Sequence, residues 1–180
     1  MKRAVFLDRD GVINRAFVFD GVPTPPKSIG EVEILSGVRE AIELLQERNF
    51  VVIVVTNQPD VARGFVSRES VEAINTHLSQ ELGIKLFYSC FHDDLDECIC
   101  RKPKPGLIMD SAAYLDLDLN KSFMVGDRWR DITAGQAAGC KCFFIDYEYE
   151  EKSPVLPFTK VSSLLEATRM ILENPDDTFN

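Results

Sequence analysis

Short runs that are apolar throughout recur along the chain and constrain it more than any other feature: Ala4–Leu7, Phe50–Val55, Phe123–Val125 and Cys142–Ile145. Each is too short for a helix, and a strand apolar on both faces must be covered on both faces, which is the situation of a parallel sheet. Phe87–Phe91 reads as one further short strand. Between the runs, apolar residues return at helical spacing. The pattern predicts helices from Ser36 to about Asn49, from Ser67 to about Leu82, from Gly106 to Leu115, from Asp131 to Ala138 and from Val161 to Leu172. Strict alternation of this kind implies an α/β fold: a parallel sheet with helices on both faces and right-handed crossovers.

The strand ends carry polar side chains. Ala4–Leu7 runs into Asp8-Arg9-Asp10-Gly11, Phe50–Val55 into Thr56-Asn57-Gln58-Pro59, and Phe123–Gly126 into Asp127. In an isolated segment, Asp-x-Asp-Gly is an ordinary turn. Three strand ends that all carry polar groups are another matter, because open α/β sheets build their sites at the carboxyl ends of strands. Residues i and i+2 of an extended chain project to one side, so Asp8 and Asp10 can converge, and Gly11 lets the chain turn away. Such a pair suits a nucleophile beside a proton donor, or two ligands of a hard divalent cation. With Asp127, a hydroxyl and amide from Thr56 and Asn57, and a lysine, the set describes phosphoryl transfer, a reaction catalysed mostly by positioning and charge neutralisation.

At 180 residues the chain fits a single domain, 1–180, with a tail at 174–180 expected to fray. A net charge of -9 argues against nucleic acid as a partner, since that affinity rests on clustered Lys and Arg. No apolar stretch is long enough to span a bilayer, and Met1-Lys2-Arg3 leads into a run too short for a secretory signal, so the expectation is a cytoplasmic protein without membrane partners. The oligomeric state is not written in the sequence; a monomer is the default.

Five cysteines without an export signal argue against a disulfide framework. Four potential ligands, Cys90, His92, Cys98 and Cys100, fall within eleven residues, and three thiolates with one imidazole make a closed structural zinc site. Asp93, Asp94, Asp96 and Glu97 make that segment too polar for a core. Cys140 and Cys142 alternate on a strand and read as core thiols, and His77 has no partner on its helix.

Asp8-Arg9-Asp10-Gly11-Val12-Ile13-Asn14, Thr56-Asn57-Gln58, Arg101-Lys102-Pro103-Lys104-Pro105-Gly106 and Gly126-Asp127-Arg128-x-x-Asp131 resemble, in order, the successive motifs of the haloacid dehalogenase (HAD) superfamily phosphatases. The resemblance implies a Rossmann-like three-layer α/β/α fold. It implies that Asp8 attacks phosphorus to form an aspartyl-phosphate while Asp10 protonates the leaving oxygen. It implies Mg²⁺ held by Asp8, the Asp10 carbonyl and Asp127, with Thr56 and the Asn57 amide gripping phosphoryl oxygens. Lys102 would neutralise charge, with Lys104 the rival by position, and Asp131 would orient the cluster.

The cysteine and histidine loop is similar to that of the HAD branch acting on heptose bisphosphates and histidinol phosphate. Asp10–Asn14, Ala62-Arg63-Gly64 and Lys104-Pro105-Gly106 resemble the first group, and the short spacing from His92 to Cys98 the second. The resemblance thus implies a small sugar phosphate as substrate, with histidinol phosphate as the alternative and a catalytically silent phosphate binder as a further one. Only 36 residues lie between Asn14 and Val51, so no cap domain is expected and loops should frame the site. Arg63, Arg101 and Arg128 are the candidates for a second phosphate or sugar hydroxyls, because guanidinium groups match phosphate bidentately.

Overall fold

The computed structural model describes residues 1–174; the remainder of the tail expected to fray lies outside the described residues. Strand β1 spans Ala4–Leu7, β2 Phe17–Phe19, β3 Val22–Thr24, helix α1 Val38–Glu47, β4 Val51–Asn57, α2 Arg68–Leu82 and β5 Leu86–Cys90. The chain continues with α3 Gly106–Leu115, β6 Phe123–Gly126, α4 Trp129–Ala138, β7 Lys141–Ile145, β8 Thr159–Val161 and α5 Leu164–Glu173. Six strands form one sheet in the order β5-β4-β1-β6-β7-β8, and every pairing in it is parallel.

The order reverses beside β1. The chain steps from β1 outward to β4 and β5, then returns to place β6 on the other side of β1 and continues to β7 and β8. Where a parallel sheet reverses, the crossover helices diverge to opposite faces and leave a crevice at the carboxyl ends. Asp8 and Asp127 follow the two strands that flank this crevice.

The period-two geometry of the strands divides the core in two. Val5 and Leu7 of β1, with Val52 and Val54 of β4, face one layer, filled by Ala41, Ile42 and Leu45 of α1, Ile74 and Leu78 of α2, and Ala167 and Ile171 of α5. Ala4 and Phe6, with Ile53 and Val55, face the other layer, filled by Ile108 and Ala112 of α3 and Ile132 and Ala134 of α4. This explains why the runs are apolar throughout rather than alternating. The start of α2 is fixed by Ser67, whose hydroxyl accepts from the Ser70 amide at 3.1 Å.

Two elements differ from the sequence reading. The stretch from Asn14 to Gly30, where Gly21, Pro23, Pro25 and Pro26 rule out a helix and suggest an ordered loop over the strand ends, contains the antiparallel hairpin β2–β3, turned at Asp20 and Gly21, both with positive φ. Asp-Gly is the preferred central pair of a two-residue hairpin turn, and Pro23 is tolerated because the ribbon has only two strands, both of them edges. The closing helix begins at Leu164 rather than Val161, because Thr159–Val161 adds β8 to the sheet edge. Ser163 then caps the helix by accepting from the Glu166 amide at 3.2 Å.

Leu78 is fully buried between α2 and the sheet. Leu78→Ala should lower the unfolding free energy by about 2–5 kcal/mol through lost transfer energy and a residual cavity. Urea denaturation checks this, the midpoint falling with an unchanged slope.

Candidate active site

The Asp8 amide donates to Val125 O at 3.0 Å, so Asp8 is still held by the β6 ladder as the chain leaves the sheet. The backbone then turns at once. Gly11 has φ +91, and a Cβ there would overlap the Asp127 carboxylate, so no other residue fits. The turn is closed by the Gly11 amide donating to Asn14 O at 2.7 Å. The Asp10 carboxylate accepts from Asn14 Nδ2 at 2.9 Å, Gln58 Nε2 at 2.8 Å and Arg9 Nε at 3.2 Å. Arg9 is completely buried and also donates to Asn75 Oδ1 at 2.9 Å. Asp10 is thus gripped on both oxygens yet remains at the cavity wall.

Lys102 reaches this point from the loop before α3. Its backbone is pinned by the Asn57 side chain, which donates to Lys102 O at 2.9 Å and accepts from Lys102 N at 3.0 Å. The side chain is 2 % exposed, and Nζ lies 2.7 Å from Asp8 Oδ1, 2.6 Å from Asp131 Oδ1 and 2.7 Å from Val55 O. Lys104 instead donates to the carbonyls of Glu97 and Cys98, away from Asp8. Asp131 comes this close because Gly126 has no side chain in its way, and its other oxygen accepts from the Arg128 amide at 3.0 Å.

One ammonium faces three buried carboxylates, Asp8, Asp127 and Asp131, which bring an oxygen each within 4.8 Å of one another. Burial, then the Asp131 charge, pushes the Asp8 carboxyl up to about 6, against the pull of Lys102. Burial and the Asp8 charge push Asp127 well above its ordinary value. For Lys102 burial acts to lower the pKa, but Asp131 and Asp8 outweigh it and the ammonium is held above its ordinary value. Tyr149 donates to Asp127 Oδ2 at 2.9 Å, while Asp127 Oδ1 is buried and has no hydrogen-bond partner among the described residues. Surplus negative charge, an orphaned carboxylate oxygen and an oxygen-only donor set fit a hard divalent cation.

A second cluster lies at the end of β5. Sγ–Sγ distances among Cys90, Cys98 and Cys100 are 3.7, 3.2 and 3.4 Å, and His92 Nδ1 is 3.6 Å from Cys90 Sγ and 3.3 Å from Cys100 Sγ. All three cysteines are free thiols. Sulfurs about 2.3 Å from a tetrahedral zinc lie roughly 3.8 Å apart, so the cage fits that ion after slight expansion. Cys142, on β7, and Cys140, just before it, are buried in the core layer shared with α3 and α4.

A cavity of about 280 Å³ opens above Asp8, Asp10 and Lys102, and Arg63, Arg101 and Arg128 all line it. Carboxylates hold each guanidinium in place: Arg63 grips Asp93 through two bonds of 2.7 and 2.8 Å, Arg101 Nε lies 2.9 Å from Asp94, and Arg128 Nε lies 3.1 Å from Glu151. The Arg63 bonds hold the Asp93 carboxyl down to about 2. Asn57 lines the cavity, whereas Thr56 lies below the surface with its hydroxyl accepting from Gln58 at 2.9 Å. Sequence reasoning did not single out Gln58, Arg9, Arg130 or Tyr149. Gln58 and Arg9 sit inside strings already noted. Tyr149 lies 22 residues from Asp127 and leaves no local signal.

The model of the haloacid dehalogenase-like hydrolases matches residues 27–139. This chain belongs to that family. The D-glycero-beta-D-manno-heptose-1,7-bisphosphate 7-phosphatase of Pasteurella multocida is 34% identical over 154 residues, covering 78% of this chain and 79% of its own. The enzyme of the same name from Vibrio cholerae is 35% identical, with 77% of each chain covered. Among solved structures, the D,D-heptose 1,7-bisphosphate phosphatase of B. bronchiseptica, complexed with magnesium and phosphate, superposes with a TM-score of 0.85 at 28% identity, over 96% of this chain and 99% of its own. HAD phosphatases are phosphoric monoester hydrolases, and this chain is one of them.

Lys102→Met would leave the buried Asp8 and Asp131 facing each other without a counter-charge. Breaking a buried pair in this way costs about 3–5 kcal/mol. The Asp8 carboxyl already titrates near 6 with the ammonium present, above its unfolded value of 3.8, and rises further without it. The loss is therefore full above that range and shrinks as pH falls through it. Melting the variant and wild type at about pH 7.5 and about pH 5 should show the larger gap at the higher pH.

Proposed function

We propose that this protein hydrolyses the 7-phosphate of D-glycero-D-manno-heptose 1,7-bisphosphate, leaving the 1-phosphate, in a Mg²⁺-dependent reaction in the cytoplasm. The observation that carries the chemistry is the Asp8 carboxylate, held against Lys102 at the floor of a cavity walled by arginines. Asp8 attacks phosphorus and the bond to the sugar oxygen breaks, giving an aspartyl-phosphate. Asp10, which lines the same cavity, gives its proton to the departing oxygen and then takes one from the water that cleaves the acyl phosphate. Lys102 neutralises charge on the phosphoryl oxygens while Asp131 holds it in place, and the backbone amide of Asn57 and the Thr56 hydroxyl are the neutral grips. The Asp8 and Asp127 carboxylates with the Asp10 carbonyl would hold Mg²⁺. When bound, the ion supplies further neutralisation of phosphoryl charge.

The choice of substrate is supported by the activity named for the relatives from Pasteurella multocida and Vibrio cholerae and for the B. bronchiseptica structure. Arg63, Arg101 and Arg128 would meet the part of the substrate distal to the reacting phosphate. Histidinol phosphate is the second reading, favoured by the five residues between His92 and Cys98. The cage of Cys90, His92, Cys98 and Cys100 would hold a structural Zn²⁺ that fixes the loop carrying Arg101 and Lys102.

Phosphate release with Mg²⁺ from both anomers of the heptose bisphosphate, run beside histidinol phosphate, tests the substrate. A kcat/KM of about 10⁴ M⁻¹s⁻¹ or more on one heptose anomer is expected, with histidinol phosphate far behind. Preference for histidinol phosphate would transfer the assignment to the second reading. Asp8→Asn should fold normally and lose turnover; wild type that binds phosphate but hydrolyses no phosphoester would leave the silent binder.

For the cage, metal analysis of the purified protein should find one zinc per chain, and Cys98→Ser should lose it together with a large part of the melting temperature. Zinc-free wild type with unchanged melting and activity would remove the metal from the structure.

A further inference from the structure

The segment after β7 crosses the cation pole of the site. Tyr147 donates to Gly11 O at 3.0 Å, and Tyr149 donates to Asp127 Oδ2 at 2.9 Å. The two rings stack at 5.6 Å between centroids. The Glu150 amide donates to Gly21 O of the hairpin turn at 3.0 Å, and Glu151 grips Arg128. The strap is thus fastened at four points, three of them to Gly11, Asp127 and Arg128 and one to the hairpin turn. None of the motifs described above includes it.

We infer that Tyr149 is a positioning residue that restricts Asp127 to a single ligating oxygen and so makes the site select Mg²⁺ over Ca²⁺. The inference rests on the reading of Asp8 and Asp127 as cation ligands. With Oδ2 occupied by the phenol, Oδ1 is the oxygen left without a partner, buried and free to ligate. Mg²⁺ requires a near-octahedral shell of single oxygens at about 2.1 Å, whereas Ca²⁺ accepts six to eight ligands and readily takes both oxygens of one carboxylate. A carboxylate whose second oxygen is already hydrogen-bonded fits the smaller ion and denies the larger one its chelate. A phenol has one hydrogen to give, and here it goes to Asp127 Oδ2. The strap fixes the ring from Tyr147 on one side to Glu150 and Glu151 on the other, so the donor does not swing away when the ion enters.

Calorimetric titration of the whole, phosphate-free protein with MgCl₂ and with CaCl₂ measures the two dissociation constants, and Tyr149→Phe removes only the hydroxyl. The expected result is a fall of about tenfold or more in selectivity for Mg²⁺, the scale on which partners of metal ligands act. Most of that change should come from tighter Ca²⁺ and looser Mg²⁺ binding together. Tyr147→Phe, which alters the same strap without touching Asp127, should leave the ratio of the two constants unchanged. An unchanged ratio in Tyr149→Phe would overturn the role of the phenol while leaving the cation site intact. An equal change in both variants would also overturn it, since the strap would then act through packing alone. A wild-type chain that binds neither ion would remove the cation site itself, and this inference with it.

Discussion

One ammonium group, Lys102 Nζ, stands between the Asp8 and Asp131 carboxylates at 2.7 and 2.6 Å, with almost no contact with water. Charges cannot be buried cheaply, and three acids against one base leaves a deficit that only geometry and a bound cation can offset. Much of the surrounding architecture serves that requirement. Gly11 and Gly126 lack side chains because the Asp127 and Asp131 carboxylates occupy the space a Cβ would need. Asn57 spends both ends of its amide on the Lys102 backbone, so the lysine is placed by a strand end rather than by its own flexible loop.

The same economy extends outward to the cavity wall. Arginines around a phosphate pocket repel one another, and each here is steadied by a carboxylate. Asp93 and Asp94, which hold Arg63 and Arg101, follow directly on the cage residue His92. The cage, the acidic turn and the guanidinium groups therefore follow one another from the thiols to the cavity wall. In an acidic protein of net charge -9, this gathers Arg63, Arg101, Arg128 and Arg130 at the wall of one cavity.

Much of this was legible in the sequence, for identifiable reasons. The sheet could be read because Ala4–Leu7 and Val51–Val55 are apolar at every position, which only two-sided burial explains. The floor of the cavity could be read because strand ends at Asp8, Asn57 and Asp127 are local signals, and the cage because its ligands sit within one short loop. What escaped was long-range or masked. The hairpin was hidden by Pro23, Pro25 and Pro26, although Asp20-Gly21 marked its turn. β8 has three residues and lies at an edge, where burial imposes little pattern. Tyr149 reaches Asp127 only through the tertiary fold, and the difference between Lys102 and Lys104 is one of direction that spacing does not encode.

The division of β1 between two cores sets what this architecture tolerates in evolution. Losing one residue from Ala4–Leu7 would exchange the two apolar sets between the layers and turn Arg9 toward the position of Asp8, so both folding and chemistry would fail at once. The hairpin obeys no such rule, because its strands pair only with each other and its apolar tip, Val18 and Phe19, faces outward. It is held instead at Gly21, whose carbonyl accepts from the Glu150 amide, and at Val22–Pro25, which line the cavity. The floor of the cavity thus hangs from the sheet and part of its wall from a separate ribbon, and the two join within a few residues of Asn14.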